Sequence, residues 1–137
     1  MIYLDSCAMI KLVVPEAESP ALIEWLRQQT GDQMVTSTLA EVEVPRALRR
    51  NAPRALGLVS RMLTRVDRFE VDAPVRATAG AYIDPQLRSL DAIHLATAEN
   101  LVASGKRVTA FVTYDKRLAA AAADAGLTVV APGAQGE

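Results

Sequence analysis

The sequence predicts a three-layer α/β/α domain around a central parallel sheet of about five short strands. Three observations carry that prediction. Short β-branched or aromatic runs alternate with longer helical stretches, the pattern of a parallel sheet covered on both faces. The 137 residues amount to a single domain rather than two. Half of them are apolar, which at this length buries a sizeable core without disulfide staples.

The elements follow in order. A first strand is expected at Ile2-Tyr3-Leu4, a helix over 20–29 and a second strand at Met34-Val35-Thr36. Helices over 38–50 and 53–65 lead to a third strand at Phe69-Glu70-Val71. Helices over 75–82 and 90–104 then precede a fourth strand at Ala110-Phe111-Val112-Thr113. A helix over 116–125 and a strand at Thr128-Val129-Val130 complete the pattern. Gly105 and Gly126 stand where helix ends need a left-handed residue, and Ser89 and Asp115 where N-caps belong. Thr38-Leu39-Ala40-Glu41 reads as a capping box, with Thr38 as N-cap and Glu41 reaching back to its amide. Pro45 is expected to kink its helix, because it cannot donate toward residue 41. There is no repeat, low-complexity segment or linker. Residues 1–131 are therefore read as a single domain and 132–137 as a loose C-terminal tail.

Composition excludes several classes. Fifteen basic and sixteen acidic residues leave a net charge of -1, which argues against binding nucleic acid by bulk charge. Cys7 stands alone, so neither an intramolecular disulfide nor a cysteine zinc cluster is available, and a reducing, cytoplasmic setting is expected. Asp5 and Lys11 interrupt the apolar N-terminal residues with no basic segment before them, so no export signal is expected. No apolar run approaches the ~18–20 residues of a membrane span. The 24 alanines against six aromatic residues favour closely packed helices.

In an open parallel sheet, ligands bind beyond the carboxyl ends of the strands, where the connections diverge. Asp5 and Asp115 follow the first and fourth strands at such ends, although either also suits a turn or a cap. Asp91 opens a helix that is apolar almost all round, Leu90 to Ala98, where the helix dipole favours an acid and a buried helix mouth favours a site. His94 lies three residues on, nearly on the same face, and as the single histidine reads as a helper or core residue rather than a metal ligand. Glu41 and Glu43 are separated by ~200° around a helix. With Glu41 assigned to the capping box, Glu43 is the freer of the two.

Should Asp5, Glu43, Asp91 and Asp115 converge, like charges ~4 Å apart repel by roughly 4 kcal/mol at an effective dielectric of 20. Protonation can relieve that repulsion, but an oxygen-only donor set suits Mg²⁺ or Mn²⁺ and disfavours zinc. Such ions activate water and clamp a phosphodiester, the logic of metal-assisted nucleases. Cys7, with no basic partner nearby in sequence, reads as a small half-buried residue rather than a nucleophile. Arg46, Arg49, Arg50, Arg54, Arg61, Arg65 and Arg68 share a stretch whose one acid is Asp67. That stretch is either a phosphate-binding surface or a solvated outer face.

Taken together, MIYLDSCAMIKL, the Ser37 to Glu43 stretch running into VEVPRALRR, SLDAIHLATA and FVTYDKRLAAAA resemble a PIN-domain ribonuclease of the VapC toxin type. The resemblance spans almost the whole chain in order. It implies a PIN-like fold and catalytic, metal-binding roles for Asp5, Glu43, Asp91 and Asp115, with Ser6 and Thr113 as supporting neighbours. It implies RNA cleavage dependent on one or two Mg²⁺ or Mn²⁺ ions, with tRNA and ribosomal RNA among the family's substrates. It also implies a homodimer neutralised by a small VapB-type antitoxin; the basic run, read from charge alone, makes Arg46, Arg49 and Arg50 candidates to meet RNA or that partner. Two positions depart from the family pattern: Cys7 stands where a serine is usual, and Pro45 interrupts the glutamate-bearing helix. A catalytically silent PIN-like module binding protein or RNA is the alternative. An aspartate phosphotransferase would need a second aspartate two residues after Asp5, where Cys7 stands.

Overall fold

The computed structural model describes residues 1–134, in which five parallel strands form one sheet. The strands are β1 (Ile2–Leu4), β2 (Met34–Ser37), β3 (Asp67–Phe69), β4 (Ala110–Val112) and β5 (Val129–Val130). Their spatial order is β3-β2-β1-β4-β5. Register sets Tyr3 opposite Val35 on one side and Phe111 on the other. The chain thus builds outward from β1 in one direction, then returns and builds outward in the other. The β1/β4 boundary is the switch point.

The helices are α1 (Ser6–Lys11), α2 (Ser19–Gln28), α3 (Ala40–Asn51), α4 (Val59–Leu63), α5 (Ala73–Ala81), α6 (Ser89–Ala103) and α7 (Lys116–Asp124). Because strand side chains alternate, Ile2, Leu4, Ala110 and Val112 pack on one face with Met9, Leu22, Val44, Leu48 and Met62 from α1 to α4. Tyr3, Val35 and Phe111 pack on the other, with Leu95, Ala98 and Leu101 of α6 and Leu118 and Ala122 of α7. These are the three expected layers. Reversal of direction at β1 moves the helices from one face to the other, as crossovers of one hand require.

Several local expectations are corrected. The chain turns into α1 immediately after Asp5, a helix whose six residues continue the apolar run of β1 and so show no period of their own. The helix expected over 53–65 divides into a 3₁₀ segment, Pro53–Leu58, and α4, with Gly57 near the break. The third strand lies at Asp67–Phe69, two residues earlier than expected. It is an edge strand with exposed Asp67 and Arg68, so pairing to β2, not apolar pattern, sets its position. Ser89 is the first residue of α6, and Arg88 holds the N-cap position without a side-chain bond.

The capping box at Thr38 does not form. Thr38 still pairs with the sheet, its amide donating to the Phe69 carbonyl at 2.9 Å, and Leu39 takes the N-cap position. Glu41 turns outward to Arg68 at 3.1 Å instead. Gly105 and Gly126 adopt φ of 87° and 89° at helix ends, as expected. Helix α3 runs through Pro45 to Asn51. At the C-terminus, the Tyr114 hydroxyl donates to the Pro132 carbonyl at 2.8 Å, and a Cβ on Gly133 would stand 2.8 Å from that of Ala21. Of the expected loose tail, 135–137 lie outside the described residues.

Candidate active site

Helices α1, α3, α6 and α7 each carry one of the candidate acids in or just before the first turn. Asp5 ends β1 and caps α1, its Oδ1 accepting from the Ala8 amide at 2.8 Å. Asp115 follows β4 and caps α7, accepting from the Leu118 amide at 2.9 Å. Asp91 lies in the first turn of α6 and Glu43 in that of α3. Helix N-termini favour negative charge, so the fold gathers acids where backbone dipoles partly offset them.

Thr113, fully buried between the β4 residues and Asp115, joins the two aspartates of the switch point. Its hydroxyl donates to Asp5 Oδ2 and accepts from the Asp115 amide at 3.1 Å. Ser6 donates to Glu43 Oε1 at 2.6 Å, so both residues expected as supporting neighbours touch a candidate acid. His94, 1 % exposed, places Nε2 2.7 Å from the same Oε1 and Nδ1 2.8 Å from the Tyr3 hydroxyl. Tyr3 and its bond to His94 are missing from the sequence reading. The available signal was the inward period of β1, which aims Tyr3 at the helix face bearing His94.

The electrostatics mark one shared region. Burial pushes the Asp5 carboxyl up to about 6, with the Asp91 charge adding to the rise against hydrogen bonds from Thr113 and Ala8. Asp91 is raised by burial and then by Asp115 and Glu43. At Glu43, burial is outweighed by hydrogen bonds from His94 and Ser6, which hold it below the usual carboxylate range. Cys7 feels all four acids: desolvation and then the charges of Asp5, Asp91, Asp115 and Glu43 push its thiol up to about 12. It is solvent-exposed rather than half-buried as expected, and far from a thiolate at neutral pH.

Among the described residues no three His, Cys, Asp or Glu groups stand close enough to hold a metal ion as placed. The acids line an open rim, and common ligation of an ion by three of them requires side-chain rotation. A cavity of about 430 Å³ lined by Cys7, Ile10, Lys11, Tyr114 and Asp115 borders this rim. A second, of about 450 Å³, lies at the opposite end of the strands beside Ile2 and Met34 and holds none of the candidate acids. Arg46, Arg49 and Arg50 are exposed on α3, and Glu43 faces inward on the same helix. No helix among the described residues is long and apolar enough to cross a membrane.

Comparison with known proteins adds the family. The profile of the PIN domain matches residues 2–124. Ribonuclease VapC35 of Mycobacterium tuberculosis is 53% identical over 133 residues, covering 97% of this chain and 98% of the relative. Ribonuclease VapC46 of the same organism is 44% identical over 131 residues, covering 96% and 97%. Among solved structures, M. tuberculosis VapC20, described as a sarcin-ricin loop cleaving toxin, superposes with a TM-score of 0.71 at 20% identity, covering 96% of this chain and 100% of that one. VapBC2 from Rickettsia felis, bound to a DNA fragment from its promoter, gives 0.65 at 13% identity, covering 96% and 99%. At these identities the superpositions speak for the fold.

Proposed function

The chain belongs to the VapC-type PIN-domain ribonucleases, and from that premise we propose that it is the toxin of a toxin-antitoxin pair, cleaving RNA by divalent-metal-dependent phosphodiester hydrolysis. One observation carries the reading: Asp5, Glu43, Asp91 and Asp115 arrive on four helix N-termini at the switch point and act electrostatically on one another or on one shared neighbour, Cys7.

The fit to a cation rests on that charge and on donor type. Asp5 is buried, and burial and the Asp91 charge both oppose its ionisation, a cost that a cation held beside these carboxylates would relieve. Its ligands are carboxylate oxygens, suited to one or two Mg²⁺ or Mn²⁺ ions. Asp5, Glu43, Asp91 and Asp115 would hold the metal. Bound there, a divalent cation supplies the charge that activates water and offsets charge gathering on the leaving oxygen of a phosphodiester. The chain's own residues supply orientation. Thr113 and the Ala8 amide fix Asp5, Ser6 and His94 fix Glu43, and Leu118's amide fixes Asp115.

As the family resemblance implies, we further propose that the substrate is a structured RNA such as tRNA or ribosomal RNA, the site of action cytoplasmic, and the active form a homodimer silenced by a VapB-type antitoxin. Arg46, Arg49 and Arg50 are the basic groups on the helix bearing Glu43, placed to meet RNA or that antitoxin. The test is purified protein incubated with bacterial RNA and either ion, with new 5′ ends mapped. Discrete cleavage that disappears on chelation and in Asp91→Asn is expected. Cleavage unaffected by chelation, or no cleavage with either ion, would contradict the reading.

A further inference from the structure

Glu43 is held by side chains alone, whereas Asp5 and Asp115 each accept from a backbone amide. Both contacts converge on one oxygen, Oε1: the Ser6 hydroxyl at 2.6 Å and His94 Nε2 at 2.7 Å, with Ser6 Oγ and Nε2 themselves 3.1 Å apart. Neither engages Oε2, which keeps its lone pairs. Behind His94, the Tyr3 hydroxyl meets Nδ1 at 2.8 Å, and the Tyr3 ring stands edge-on to the imidazole at 77° while stacking on Phe111 with centroids 5.1 Å apart. Tyr3, Phe111 and His94 are all at most 1 % exposed.

A histidine inside an apolar helix face has to satisfy both ring nitrogens. An ionised carboxylate only accepts, so at 2.7 Å Nε2 has to carry the proton. A lone pair there would face another lone pair. Whichever way the proton lies between the Tyr3 oxygen and Nδ1, that contact fixes the tilt of the ring and hence the direction of the Nε2–H bond.

We propose that His94 and Tyr3 are positioning residues for Glu43: the core-anchored Tyr3 orients His94, whose Nε2–H, with the Ser6 hydroxyl, pins Oε1 and leaves Oε2 as the oxygen that would hold a divalent ion. This rests on the reading of Glu43 as a metal ligand. Such a bond sets both the direction and the basicity of a ligating carboxylate, and removing partners of this kind costs 10–100-fold in metal affinity or activity.

His94 is the chain's one histidine, so an ¹⁵N-labelled sample gives a single imidazole without assignment. In the metal-free protein at fixed pH, Nε2 is expected to be protonated and hydrogen-bonded, with its signal displaced by Glu43→Gln and altered by Tyr3→Phe. Calorimetric titration with Mn²⁺ should show His94→Leu weakened about 10–100-fold and His94→Gln, which keeps an N–H donor, within a few-fold of wild type. Cleavage should follow as a fall in kcat with KM for RNA unchanged. An unprotonated Nε2, a signal indifferent to Glu43→Gln, or a folded His94→Leu that binds Mn²⁺ like wild type would overturn the proposal. Should His94→Leu not fold, the imidazole signal and His94→Gln decide it. Absence of RNA cleavage by the wild-type chain would defeat the ribonuclease reading, while the imidazole signal would still decide the Nε2–Glu43 bond.

Discussion

The acid rim gathers four like charges and the arginine stretch carries seven, and the chain treats the two sets in opposite ways. At the rim, Asp5, Asp115 and Glu43 accept bonds from named donors, and Asp5 is 3 % exposed. Along residues 46–68, all seven arginines are exposed, and Arg68 alone is ion-paired among the described residues, to Glu41. Gathered, desolvated charge costs stability and is retained where chemistry needs it. Dispersed, solvated charge costs little and acts through its summed field. The first should respond sharply to single isosteric changes, the second weakly and with salt.

The largest effect is expected at the rim. Asp5→Asn, Asp91→Asn and Asp115→Asn should each lower metal-dependent RNA cleavage by about 10²–10³-fold with the fold retained, since each removes charge but little volume. Steady-state cleavage beside circular dichroism checks this. Near-normal turnover in any one variant would remove that residue from the site.

The two glutamates of α3 sharpen the contrast within one helix. Glu43→Gln should cost most of the activity, because its oxygen sits under His94 and Ser6. Glu41→Gln loses an exposed pair with Arg68 and should change stability by at most about 0.5 kcal/mol while cutting RNA normally. Cleavage rates and urea titrations of the two side by side measure it.

Asp5 also gives the rim a pH signature without metal. Its carboxyl lies at about 6 in the folded chain, chiefly through burial, and near 3.9 when unfolded. A carboxyl raised by folding contributes stability fully below its unfolded pKa and loses it as pH rises through the folded one. Wild-type stability in chelator, compared with Asp5→Asn, should therefore decline between pH 4 and about 7. A difference that grows with pH instead would reverse the assignment of burial as the dominant cause.

The smallest effect belongs to the arginines. Arg49→Ala combined with Arg50→Ala, in an Asp115→Asn background to prevent cleavage, should weaken RNA binding. The slope of log affinity against log salt should flatten by about 0.7 for each RNA phosphate that the double variant no longer neutralises. An unchanged slope with weakened antitoxin binding would assign this face to the partner.

Much of the fold was legible because its signals are local. β1 and the start of β2 are short buried apolar runs, and Asp5 and Asp115 stand directly after strands at a sheet edge that any doubly wound topology opens to ligands. What escaped depends on non-local terms. Helix α1 is too short to show a period, and β3 is an edge strand placed by pairing with β2. Thr38 looked like a cap, but its amide is engaged by Phe69, thirty-one residues away. Tyr3 and His94 meet only because β1 packs under α6, and no spacing within either segment encodes that contact.

The central claim is that four acids on converging helix N-termini share one divalent-ion site. Crystals grown with Mn²⁺ and measured near the manganese absorption edge test it directly. An anomalous peak among Asp5, Glu43, Asp91 and Asp115, abolished in Asp91→Asn, is the predicted result, and a peak elsewhere, or none at saturating Mn²⁺, would contradict it.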